Sequence, residues 1–218
     1  MRRILYGFIG SVLLLLTSCM SSDLVENWKN PEIDLFAAEK VLVLAMTNDV
    51  ENRQRFEKKL VDELEKKGVN AVVSDQFFDK EYTQRPHTQE ELDLLENAML
   101  EEGFDAILVS KIIGAEDRKS LLQSYDGFDT LFNSFEEDYY TNQKIYAEDE
   151  YMDVYTVYHA ESALYCICPT KERETIWKGS IDITQPESTR KAIKDYIKIL
   201  LWVLEEQQLL IINDGKGI

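Results

Sequence analysis

The sequence predicts a single α/β domain with three layers, in which helices pack on a mixed β-sheet. In the first half, three short apolar strands alternate with two helices that each have one apolar face. This alternation is typical of a parallel β-α-β-α-β unit. In the second half, six residues separate two further strands, as in an antiparallel hairpin. A long amphipathic helix then ends the domain.

The chain begins with a short leader that is first cationic and then apolar. Arg2 and Arg3 precede an uncharged run from Ile4 to Leu16. The run is shorter than the roughly 20 residues that a membrane-spanning helix needs. It matches the hydrophobic centre of a secretory signal.

The residues that end the leader, Leu16-Thr17-Ser18-Cys19, resemble the lipobox of bacterial lipoproteins. The resemblance implies that residues 1–18 are a signal peptide and that the Cys19 sulfur carries a diacylglycerol. Cys19 would then be the acylated first residue of the mature protein. The alternative is an ordinary signal peptide followed by a chance cysteine.

The 218-residue chain carries a net charge of −17, and removal of the leader with its two arginines makes it more acidic. Such a surface repels nucleic acid and anionic lipid headgroups, so we expect no nucleic-acid partner. Contact with a membrane must therefore come from acyl chains, each buried methylene contributing about 0.8 kcal/mol.

Residues 19–30 are mostly polar and predict a lipidated tether, at whose end Trp28 is expected to pack on the domain. The domain is predicted over residues 31–212, and residues 213–218 are predicted to be a disordered tail. Its first strand is the continuous apolar run from Lys40 to Met46, typical of a strand covered on both faces.

The first helix is predicted between Asn48 and Gly68. Asn48 and Glu51 have the spacing of a capping box, and Gly68 is a natural stop. Apolar residues recur between them at helical spacing: Phe56, Leu60, Val61 and Leu64.

The second unit repeats this order. Val69 to Val73 predicts a short strand, and Thr88 with Glu91 forms a capping box for a helix that ends at Gly103. The third apolar strand is predicted over residues 104–113.

The second half is predicted to contain strands over residues 152–168 and 175–183 and a helix over residues 187–207. Cys166 and Cys168 lie two apart on the first of these strands, where side chains run parallel, so we expect two free, buried thiols. His159 has the opposite strand parity to both cysteines, which argues against a zinc site.

A connection over residues 115–153 has a different composition, in which acidic residues are interleaved with tyrosines and phenylalanines. Its runs Glu136-Glu137-Asp138 and Glu148-Asp149-Glu150 lack the oxygen spacing and central glycine of an EF-hand. We therefore expect a solvated acidic insertion whose exposed aromatic residues contact a partner protein. Some of these aromatic residues are instead expected to cover the sheet.

The order of the elements over residues 28–207 resembles that of bacterial envelope lipoproteins of no agreed activity. The resemblance rests on the leader, Trp28-Lys29-Asn30-Pro31, the first strand and a closing hairpin with Trp177. The order is also similar to the α/β domains of the TolB amino-terminal part and of CsgG-like secretion lipoproteins. These groups bring no catalytic residues to this chain.

No glycine follows the first strand, where a bound nucleotide would need one, and no Gly-x-Ser-x-Gly elbow is present. The sequence thus predicts a protein that is not an enzyme and that binds neither a cofactor nor a metal. Ligands of open α/β sheets bind beyond the carboxyl ends of the strands. A candidate pocket there comprises Thr47, Asn48, Asp49, Ser74, Asp75 and Lys111.

We therefore expect a non-enzymatic lipoprotein, anchored at the outer membrane and facing the periplasm, that contacts an envelope protein. The alternative is a small-ligand-binding protein or an envelope enzyme that uses the strand-end cluster around Asp49 and Asp75.

Overall fold

The computed structural model describes residues 21–78, 88–121, 152–167 and 174–212. These residues form six strands and three α-helices. The strands are β1 (Ser22–Lys29), β2 (Val41–Met46), β3 (Ala71–Val73), β4 (Ala106–Leu121), β5 (Met152–Cys166) and β6 (Thr175–Thr184). The helices are α1 (Val50–Lys66), α2 (Gln89–Glu101) and α3 (Thr189–Glu206).

The strands form one mixed sheet in the order β1-β6-β5-β4-β2-β3. β2 lies between β3 and β4 and is parallel to both, which confirms the predicted parallel half. β5 is antiparallel to β4 and to β6, which confirms the predicted hairpin. The mixed α/β fold class is therefore confirmed.

The predicted tether is wrong for residues 22–29, because these residues form β1 and pair antiparallel with β6 at the edge of the sheet. A register shift between Leu24 and Glu26 interrupts the side-chain alternation of β1. This irregularity hides the strand pattern in a mostly polar sequence. Trp28 remains 49% exposed, although it was expected to pack on the domain.

Capping residues mark the ends of the helices. The α1 cap is Asp49, one residue after the predicted Asn48, and its carboxylate accepts a hydrogen bond from the Asn52 N–H. The predicted Thr88–Glu91 capping box of α2 is present in full. Gly103 follows α2 with a φ of +79°, a conformation that favours glycine.

The three layers follow from which face of the sheet each helix covers. α1 and α3 cover one face, where their apolar residues meet those of the strands in the larger core, including Val43, Leu60, Leu164, Ile181 and Leu200. α2 lies on the opposite face with a smaller cluster: Leu42, Phe78, Met99, Phe104 and Ile167. We name these the helix-pair face and the α2 face.

β4 and β5 extend beyond the strands beside them as a two-stranded ribbon, from the pair Asp117–Thr156 to the pair Leu121–Met152. The predicted insertion over residues 115–153 therefore begins and ends as sheet. The rest of the insertion, with its acidic runs, lies outside the described residues, as do the leader, Cys19 and the tail 213–218.

The prediction of free thiols is wrong for Cys166, which is disulfide-bonded. That prediction assumed that residues 166 and 168 both lie on a strand, but β5 ends at Cys166. The chain need not keep parallel side-chain vectors beyond that residue. The other two cysteines of the chain, Cys19 and Cys168, lie outside the described residues.

Candidate functional site at the carboxyl ends of the parallel strands

The carboxyl ends of β2 and β3 lie at the same end of the sheet, where β4, which is parallel to β2, continues into the ribbon. Five of the six residues of the predicted pocket follow β2 or β3, and Lys111 lies within β4 beside Met46, the last residue of β2. Their side chains nevertheless have three different environments: a helix cap, a buried polar cluster beneath α1, and an ion-pair network on the α2 face.

Asp49 is occupied as a helix cap. Its Oδ1 accepts from the Asn52 backbone N–H at 3.0 Å, and its Oδ2 accepts from Asn52 Nδ2 at 2.6 Å. The Asp49 N–H in turn donates to Thr47 Oγ1 at 3.2 Å. Asn48, between them, is exposed. These contacts hold the β2–α1 turn.

Ser74 belongs to a buried polar cluster with Glu57 of α1. The Ser74 N–H and hydroxyl donate to the Glu57 carboxylate at 3.0 and 2.8 Å, and the Ala45 N–H donates to it at 2.9 Å. Burial raises the pKa of Glu57 above its ordinary value, although these hydrogen bonds and nearby Arg53 oppose the rise. The cluster fastens α1 to the ends of β2 and β3.

Asp75 is the anionic partner of a second buried residue of α1. Arg53, which is 1% exposed, donates from Nη2 to Asp75 Oδ1 at 2.7 Å. Gln54 Nε2 donates to the other carboxylate oxygen at 2.6 Å. An ion pair with such a buried partner holds the turn after β3 against α1, since an unpaired buried charge costs several kcal/mol, on the order of 3–5.

Sequence reasoning missed Arg53 and Glu57 as site residues. Their positions carry a signal, because both lie at helical spacing with Leu60 and Leu64 and hence share the apolar face of α1. Charged residues on such a face are rarely buried without partners. Here the partner of Arg53 is the Asp75 carboxylate, and a partner of Glu57 is the Ser74 hydroxyl.

Lys111 lies on β4 between Ser110 and Ile112, and alternation directs its side chain to the α2 face. Its Nζ lies 3.1 Å from Glu161 of β5, whose other oxygen lies 2.7 Å from Lys178 of β6. Burial alone would raise the pKa of Glu161, but the two ammonium groups lower it overall.

His159 and Asp182 continue this network on the α2 face. His159 Nδ1 lies 2.6 Å from Asp182 Oδ1, and Nε2 lies 3.6 Å from Glu116 of the ribbon. Across the described residues, no three His, Cys, Asp or Glu side chains are grouped closely enough to hold a metal ion.

A cavity of about 390 Å³ lies on the helix-pair face at this end of the sheet. Its walls are the amino-terminal halves of α1 and α3, the ends of β2 and β6, and the middle parts of β4 and β5. Of the predicted pocket residues, Thr47 and Lys111 border it, whereas Asn48, Asp49, Ser74 and Asp75 do not. The apolar residues that line the cavity include Ala45, Met46, Phe56, Ile112, Ala160, Ile183 and Ile193.

Three hydroxyl groups meet at the inner wall of this cavity. Ser162 Oγ lies 2.6 Å from Ser110 Oγ and 2.8 Å from the Tyr196 hydroxyl. Ser110 and Tyr196 line the cavity, and Ser162 is fully buried behind them. Burial raises the pKa of Tyr196 to about 12, so its phenol is neutral at physiological pH. The cavity thus combines apolar walls with an uncharged polar inner end.

The first described residue, Ser21, is fastened to α3 at the same end of the sheet. Its N–H and hydroxyl donate to Asp195 Oδ2 at 3.2 and 2.9 Å, and its carbonyl accepts from the Thr184 N–H at 2.7 Å. Lys191 Nζ also donates to Asp195, at 2.9 Å. In the described part of the chain, no helix has both the length and the apolar character needed to cross a membrane.

No protein-family model and no curated protein matches the chain. Among solved structures, the fold is similar to the PelC dodecamer from Paraburkholderia phytofirmans. The identity is 10% over 86% of this chain and 98% of that chain, with a TM-score of 0.43. It is also similar to lipoprotein GNA1162 from Neisseria meningitidis. Here the identity is 13% over 76% of this chain and 96% of that chain, with a TM-score of 0.41.

Proposed function

We propose that the protein is a lipoprotein of the bacterial cell envelope, anchored through acyl chains on Cys19, that acts by contacts with other proteins. The observation that carries this proposal is the lipobox sequence Leu16-Thr17-Ser18-Cys19. The chain carries a net charge of −17, which repels anionic headgroups, so we expect the acyl chains to supply the membrane affinity.

The position of β1 adds a geometric consequence to this proposal. Only Met20 separates Cys19 from Ser21, and Ser21 is fastened to Asp195 and Thr184. Two residues of extended chain span at most about 7 Å. An acyl group on Cys19 therefore holds the sheet close to the membrane surface rather than on a long tether.

The proposed location is the outer membrane, with the domain in the periplasm. Met20 follows Cys19, so the position after the acylated cysteine lacks the acidic residue that signals inner-membrane retention in some bacteria. The residues after it, Ser21-Ser22-Asp23, do not form a strong surface-export signal.

A role in protein contacts fits the groups at the strand ends better than catalysis does. Asp49 caps α1 and Asp75 pairs with buried Arg53, so neither carboxylate is held toward the cavity as an acid or base. In contrast, edge strand β1 exposes Val25 and Trp28. Exposed edges and aromatic side chains are favoured contacts between proteins.

The attachment is tested by mass spectrometry of the protein purified from its native membranes. We expect an amino terminus at Cys19 that carries diacylglycerol. Cys19→Ser should move the protein to the soluble fraction, whereas Ser18→Ala, which keeps a small residue before the cysteine, should not. An uncut and unmodified amino terminus would contradict the proposal.

The contact role is tested by crosslinking in intact cells followed by purification of the protein. We expect a reproducible envelope partner whose recovery falls in Trp28→Ala. Trp202→Ala is the matched control, because Trp202 is an equally exposed tryptophan on α3. Failure to recover any reproducible partner would count against the role.

A further inference from the structure

We propose that the cavity between α1, α3 and the sheet binds an uncharged, mostly apolar molecule that carries one hydroxyl or carbonyl group. Its volume of about 390 Å³ falls within the range of about 300–1,000 Å³ typical of small-molecule sites. The proposal does not depend on lipid attachment at Cys19.

The walls of the cavity favour a ligand that is mostly apolar. Ile112, which has the same strand parity as Ser110, borders the cavity and remains 55% exposed, although it is a large apolar residue. Phe56 and Ile193 contribute further apolar surface from the two helices. A bound apolar molecule would remove this surface from water, at about 25 cal/mol per Å².

The hydroxyl groups of Ser110 and Tyr196 select one neutral polar group. A hydroxyl both donates and accepts hydrogen bonds and rotates to suit its partner. Ser162 holds the two oxygens from behind, so the polar end of the cavity is in place before a ligand arrives. A ligand hydroxyl or carbonyl at this end therefore finds a partner.

The same arrangement disfavours a charged ligand group. Lys111 is the sole charged residue among the described residues that border the cavity, and its ammonium pairs with Glu161 on the α2 face. The Tyr196 phenol is neutral. A carboxylate or ammonium group at the inner end would lose its water without gaining an opposite charge, which is costly.

The test is a titration of the full chain, with isotope-labelled methionine, isoleucine and alanine methyl groups, followed by NMR. The probes are 1-octanol, sodium octanoate and octylamine at pH 7. We expect 1-octanol to shift the Met46, Ile112 and Ala192 methyl signals saturably. Both charged probes should bind at least about tenfold more weakly. Equal binding of octanoate or octylamine, or no saturable shift with 1-octanol, would overturn the proposal.

Two variants locate the binding. Ala192→Phe places a ring in the cavity and should abolish the 1-octanol shifts, whereas Leu94→Phe, on the exposed side of α2, should not. Tyr196→Phe keeps the ring and removes the hydroxyl, and should weaken 1-octanol binding about fivefold to tenfold. If Ala192→Phe binds 1-octanol as the parent does, the site is not this cavity.

Xenon provides the matched probe without a polar group, since it enters apolar cavities. Its binding should be unchanged in Tyr196→Phe and lost in Ala192→Phe. Ser110→Ala serves as the second hydroxyl variant if Tyr196→Phe does not fold. An equal loss of xenon and 1-octanol binding in a folded hydroxyl variant would overturn the assigned role of the hydroxyl groups.

Discussion

The two faces of the sheet use the same strands in different ways. On the helix-pair face, β5 and β6 present Leu164 and Ile181 to a large apolar core. On the α2 face, the same strands present His159, Glu161 and Asp182, which pair with one another or with lysines. Strand alternation therefore separates an apolar surface from an ionic one within a few residues.

The comparison separates the interactions that contribute most to the stability of the fold from those that contribute little. Burial of apolar side chains supplies the dominant favourable energy of folding. Ion pairs on a partly exposed face contribute less, with a median of about 0–1 kcal/mol. Substitutions on the helix-pair face should therefore cost more stability than comparable ones on the α2 face.

The largest effect is expected from Leu200→Ala in α3. Leu200 is fully buried in the larger core, and the cavity left behind should cost about 3–5 kcal/mol of the free energy of unfolding. Met99→Ala removes an equally buried residue from the small cluster of the α2 face and should cost nearer to about 2 kcal/mol. Denaturant titration measures both values.

Trp202→Ala is the control for Leu200→Ala, because Trp202 lies two residues further along the same helix and is exposed. Its cost should stay within about 0.5 kcal/mol. Equal costs for Leu200→Ala and Met99→Ala would remove the proposed distinction between the faces.

An intermediate effect is expected from Gly179→Ala in β6. A Cβ at residue 179 would overlap the fully buried Trp177 ring. Moving that ring should cost about 1–3 kcal/mol. Gly114→Ala is the matched control, since its Cβ would lie 3.7 Å from the His159 ring, an ordinary contact. A shift in melting temperature for Gly179→Ala alone would support this account; equal shifts would contradict it.

The smallest effects, on the order of 1 kcal/mol, are expected from Glu161→Gln and Glu57→Gln, and their pH dependences should be opposite. The pKa of Glu161 is lowered from 4.5 in the folded protein, so its stabilisation is present above pH 4.5 and lost as the pH falls. The pKa of Glu57 is raised above 4.5, so its contribution is present below pH 4.5 and lost as the pH rises through the folded value.

Urea titrations between pH 3 and pH 7 test this pair. The stability difference between the parent and Glu161→Gln should shrink on acidification, whereas the difference for Glu57→Gln should grow. Parallel trends for the two variants would show that burial and ion pairing do not shift the pKa values of Glu57 and Glu161 in opposite directions.

Apolar periodicity predicted the strands β2 to β6, the three helices and the mixed sheet, because burial forces those patterns on the sequence. It could not predict β1, whose residues are mostly polar and whose register shifts after Leu24. Glu187 was placed in the last helix, but α3 begins at Thr189 after the cap Ser188. Boundary errors of this size reflect local capping, which periodicity does not see.

The candidate site was harder to predict than the fold. Topology brings Thr47 and Lys111 near the carboxyl end of β2, but proximity in the chain to a strand end does not fix where a side chain points. The cavity is also lined by Ser110 and Tyr196, which are 86 positions apart by their residue numbers. A hydroxyl cluster formed by tertiary packing leaves no motif in the sequence.

The partnership of β1 with β6 has a consequence for biogenesis. β1 pairs with residues 177–183, which lie close to the other end of the domain in the sequence. A polypeptide synthesised amino end first therefore leaves β1 without its partner strand until β6 has been made. Chains that stop before β6 would leave the edges of both β1 and β5 unpaired, and unpaired strand edges promote association with other chains.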